Sequence, residues 1–70
     1  MARTRGNFRP FPTGTTLRVE SGVLIESGTR VQLETWVDDG EYWVVEDLGR
    51  LITLQPKQGG EHVAARKADL

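Results

Sequence analysis

Apolar and polar residues alternate one by one over much of this chain, and pairs such as Ser-Gly, Asp-Gly and Gly-Gly cut the alternation into short runs. A period of two sorts side chains onto the two faces of an extended strand, and a helix cannot sort them that way. In "TLRVE" (16–20), Leu17 and Val19 fall on one side, Arg18 and Glu20 on the other. In "RVQLETWV" (30–37), Val31, Leu33, Thr35 and Val37 oppose Gln32, Glu34 and Trp36. Between them "VLI" (23–25) is framed by Ser21-Gly22 and Ser27-Gly28, which mark turns because glycine takes positive φ without a steric penalty. "EYWVVED" (41–47) is rich in β formers, and "RLITLQ" (50–55) is closed by Pro56.

Five short strands without an intervening helix predict an all-β fold, an antiparallel meander. So few residues in so many strands favour a closed or nearly closed barrel, since closure removes exposed edges. "LRVESG" and "VLIESG" echo each other, but two copies fall short of a β-helix and read as two similar turns around a short strand. The meander is expected over residues 14–56. Residues 1–13 form an extended basic arm, stiffened by Pro10 and Pro12 around Phe11. Residues 57–70 form a tail in which "EHVAARKA" favours a short helix, docked or frayed.

The distal half, "GTRVQL … DDGEYWVVEDLGRLITLQP" over residues 28–56, resembles SH3-like barrels. It has a Gly-x-x-Val strand entry, an acidic hairpin, a tryptophan strand, a second glycine turn and an aliphatic strand ending in proline. The resemblance implies a small five-stranded barrel. The acidic-aromatic ligand loop of signalling SH3 domains has no counterpart here, so binding of PxxP peptides is not implied.

The aromatic residues are the candidate site. The 70-residue chain has five, and Trp36, Tyr42 and Trp43 flank one acidic turn. If Asp39-Gly40 is a two-residue hairpin loop, Trp36 sits opposite Trp43. If Asp38-Asp39-Gly40 is a three-residue loop with a glycine bulge, Thr35 faces Trp43 instead. The second register gathers Val31, Leu33, Val37, Trp43 and Val45 on one face and is favoured, because a one-residue slip forfeits several buried side chains at about 1.5–3 kcal/mol each. It makes Trp43 core and leaves Trp36 and Tyr42 as an outer pair beside Glu34 and Glu46. Such a pair can simply stabilise a sheet, or can serve as a contact patch.

Charge is uneven. Residues 1–13 carry +3, residues 14–56 carry −5 with three arginines against eight carboxylates, and the net charge is −1. In the arm, Arg3, Arg5 and Arg9 interleave with Phe8 and Phe11, a pattern that can neutralise phosphates and stack on bases. The acidic middle opposes that use.

Signals for catalysis are weak. His62 is the sole histidine, and no motif joins it to Ser21 or Ser27. Asp38-Asp39 is explained by turn chemistry, and Glu46 and Asp47 as strand neighbours point apart. One histidine and no cysteine give no zinc set, and no calcium loop or phosphate cradle is present. No catalytic residue, metal or cofactor is therefore expected, although an oligomer could still gather copies of one residue around a pore. The expected function is a non-enzymatic adaptor that binds a protein partner or itself through Trp36, Tyr42, Glu34 and Glu46. The rival is a nucleic-acid accessory factor using the arm. No apolar run approaches a membrane span and no hydrophobic stretch follows the first basic residues, so a cytoplasmic protein is expected.

Overall fold

The computed structural model describes residues 9–68. It is a single six-stranded antiparallel sheet, order β3-β2-β1-β4-β5-β6, curled into a half-barrel. The strands are β1 (Thr16–Glu20), β2 (Val23–Glu26), β3 (Thr29–Gln32), β4 (Gly40–Asp47), β5 (Leu51–Pro56) and β6 (Val63–Arg66).

The two Glu-Ser-Gly units are two copies of one turn. Glu20 pairs with Val23 across Ser21-Gly22, and Glu26 pairs with Thr29 across Ser27-Gly28. φ is +50° and +78° in the first turn, +47° and +92° in the second. Positive φ at both central positions matches the twist of the flanking strands, which is why such turns favour tight hairpins.

The expected pairing of the third and fourth strands is not formed. β3 stops at Gln32, and residues 33–39 carry the chain across to place β4 beside β1 and β5. Asp38-Asp39-Gly40 is therefore not a hairpin loop, and neither register considered for it exists. The reason is tertiary. Leu33 and Val37 are buried, so the crossing segment contributes to the core instead of turning back on β3.

The face assignment on β4 reverses as a consequence. Tyr42 lies opposite Leu17 of β1 and shares its inward face, whereas Trp43 lies opposite the exposed Thr16. Tyr42 is thus core and Trp43 is on the outside, the opposite of the expectation. A bulge between Val44 and Glu46 then inserts one residue against β5. The extra residue shifts the alternation, so that Asp47 turns inward after Tyr42 and Val44.

The predicted C-terminal helix is also corrected. Val63–Arg66 is a sixth strand, with Leu54 opposite Val63 and Ile52 opposite Ala65. Two turns of isolated helix are marginal, and the free edge of β5 offers both hydrogen bonds and burial. Beyond β6 the two ends of the sheet meet. Leu33 bridges Lys67, the Glu34 amide donates to Arg66 O (2.7 Å), and the Ala68 amide donates to Gln32 O (2.9 Å). The core inside the curl is Leu17, Val19, Leu24, Val31, Leu33, Val37, Tyr42, Val44, Ile52, Leu54 and Ala65.

Candidate functional site

Trp36 rides on the crossing segment and is 67% exposed. Its indole N–H donates to Asp38 Oδ1 (3.2 Å), and its ring lies over Gly22, where an added Cβ would stand 3.8 Å from ring carbon Cζ3. The same turn is tied down by the Ser21 amide donating to Asp39 Oδ1 (2.9 Å). The indole is therefore held in place and presented to water. Glu34 is exposed and pairs with Arg50 at 3.4 Å, and Glu46 is exposed on β4.

Tyr42, the fourth residue of the expected patch, is inside. Its hydroxyl donates to Asp38 O (2.7 Å), which anchors the crossing segment from below. Burial raises its pKa first, and the negative charges of Asp38 and Asp39 raise it further. The residue that replaces it outside is Trp43, 46% exposed between Thr16 and Gln55. Trp36 stands at the Gly22 end of β1 and Trp43 at its Thr16 end, so the two indoles do not form one pair. Alongside Thr16, strands β1 and β2 part beyond Arg18 and Ile25. The parting opens a groove of about 360 Å³, lined among others by Leu17, Glu26 and Glu41.

A second cluster was not legible in the sequence. The side chains of Asp47 and Lys67 are both fully buried and form an ion pair at 2.9 Å. Asp47 Oδ2 also accepts the Phe11 amide (2.9 Å), and Oδ1 accepts the Gly49 amide (2.8 Å). Lys67 Nζ also lies over the Phe11 ring, 5.4 Å from its centroid. Every buried polar side-chain atom in the described residues has a partner. The available clue was "RPFPTG". Prolines on both sides of Phe11 leave it as the lone amide donor of a three-residue run, and that donor needs an acceptor.

Of the alternative nucleic-acid set, Arg3, Arg5 and Phe8 lie outside the described residues. Arg9 is exposed, and Phe11 is half-buried, packed against the core and over Lys67. His62 is exposed on the approach to β6. Among the described residues no three His, Cys, Asp or Glu side chains gather as a metal site would require, and no helix is long and apolar enough to cross a membrane. The chain has no significant match among protein-family models, curated proteins or solved structures.

Proposed function

We propose that this protein is a small non-enzymatic binding module that contacts a protein partner, or a second copy of itself, through its exposed tryptophans, Trp36 first. The observation that carries this reading is the state of Trp36. A side chain that size normally stabilises a small domain by burial. Here it is two-thirds in water yet fixed by a hydrogen bond and a glycine contact. A solvated indole oriented in this way has less freedom to lose on docking than one without a partner, which suits an interface anchor. The acidic neighbours Asp38, Asp39 and Glu34 favour a partner surface carrying positive charge.

In this reading the fold is a small barrel of SH3-like kind. Six short strands whose two ends meet support the barrel. The acidic hairpin that carried part of the resemblance is replaced by the crossing segment, so the proposed contact surface is argued from Trp36 alone and not from that resemblance.

Sedimentation of the full chain over a range of concentrations, with pull-down in parallel, tests the proposal. Trp36→Ala should abolish self-association or capture of the partner. Wild-type behaviour of Trp36→Ala in both assays sinks it, and loss confined to Trp43→Ala would move the surface to the groove beside Thr16.

A further inference from the structure

We propose that residues 10–14 form a strap that opens and closes as a unit over one end of the half-barrel, with the buried Asp47–Lys67 pair as its latch. The strap is held by the Phe11 amide to Asp47 Oδ2, the Thr13 hydroxyl to Val45 O (3.2 Å), the Gly14 amide to Val44 O (2.7 Å), and the Phe11 ring, which packs against the core and lies over Lys67. At its base the Thr15 amide (3.1 Å) and hydroxyl (2.6 Å) both donate to Pro12 O, so the turn is closed within the strap itself. The carbonyl that takes the Thr13 hydroxyl lies in the bulge of β4, where pairing with β5 is interrupted.

Pro10 and Pro12 fix their own φ and bias the residues before them toward extended geometry, so the strap keeps its shape when undocked and loses little entropy on docking. Gly14 closes the strap with φ +92°, a left-handed conformation that glycine adopts without a steric penalty.

The latch makes opening separable from unfolding. With the strap lifted, Asp47 keeps Lys67 and the Gly49 amide, and the sheet keeps its ladders. Water then reaches an ion pair that the closed state holds dry. Recovered hydration of two charges offsets the lost burial of Phe11. Opening also removes the Pro10 and Phe11 wall of a cavity of about 230 Å³ and uncovers its other side, Glu26, Thr29 and Val31. The half-barrel thus has a closed and an open end-state, with a charged pair on display only in the second.

Amide hydrogen exchange of the full chain at several urea concentrations reads this directly. The Phe11 and Gly14 amides should exchange at least about tenfold faster than those of Leu24 and Leu54. Their rates should hardly change with urea, because a local opening exposes little surface. In Phe11→Ala both strap positions should lose protection together while the core amides stay protected. Exchange of Phe11 and Gly14 at the core rate and with the core's urea dependence would overturn the proposal. So would a Gly14 amide that stays protected in Phe11→Ala. If that variant does not fold, the urea dependence in the wild-type chain still decides.

Discussion

The two ends of β1 place the same ingredients in opposite environments. At the Gly22 end, Trp36 lies outside and its carboxylate neighbours Asp38 and Asp39 are in water. At the other end, beyond Thr16, the Phe11 ring lies over the ammonium of a fully buried Asp47–Lys67 pair, and the Phe11 amide donates to the carboxylate. An aromatic ring beside acidic residues therefore says little by itself. Whether the charge is dry or wet separates the two ends: one ring lies over a buried ammonium, the other stands in water. A dry charge must be paired and hydrogen-bonded, which ties several segments to one point, whereas a wet one leaves its surroundings free to meet a partner.

The sharpest way to break this contrast is Asp47→Ala. It strands the Lys67 ammonium in the interior and removes the acceptor of the Phe11 and Gly49 amides. Leaving one charge of a buried pair costs about 3–5 kcal/mol, most of the stability of so small a domain. Urea denaturation should show a largely unfolded chain, and a midpoint close to wild type would mean that the pair is wet after all. Replacing both partners, Asp47→Leu with Lys67→Met, should recover much of that loss, since an apolar pair of similar volume is often no less stable.

Tyr42→Phe probes the boundary between the two ends. It deletes the hydroxyl that holds Asp38 O and should cost about 1 kcal/mol in the same assay. It also changes the alkaline limb. The folded-state pKa of Tyr42 is raised, so the folded chain keeps its phenolic proton where the unfolded chain has released it. Stability supplied by the protonated phenol is complete below the unfolded value near 10 and falls as pH rises from there toward the folded value. The wild-type chain should lose stability over that window, and Tyr42→Phe should lose less of it. Equal loss in the two proteins would show that burial of this hydroxyl is not the cause.

The smallest stability effect belongs to Trp36→Ala, within about 0.5 kcal/mol, because little of that ring is buried. A large loss there would turn the exposed end into a second structural end and remove the basis for calling Trp36 a contact residue.

Much of the fold follows from local chemistry. Alternation in "TLRVE" and Ser-Gly at both turns determined β1 to β3, because face and turn are properties of a few neighbouring residues. The same holds for β5, whose inward Ile52 and Leu54 alternate with Leu51 and Thr53. The alternation expected to run on through Val37 ends at Gln32, and Thr35, expected on the inner face, is exposed alongside Glu34 and Trp36 on the crossing segment.

What the chain could not announce locally is which strand lies beside which. Pairing of β4 with β1 instead of β3 put Tyr42 inside and Trp43 outside, and a single bulged residue turned Asp47 inward. "EHVAARKA" favours a helix by propensity, but a free strand edge recruited its central residues as β6 and so delivered Lys67 to Asp47. Strand alternation is set within a segment. The choice of partner, and with it the burial of a charge, depends on surfaces supplied by residues far along the chain, and only the assembled sheet decides it.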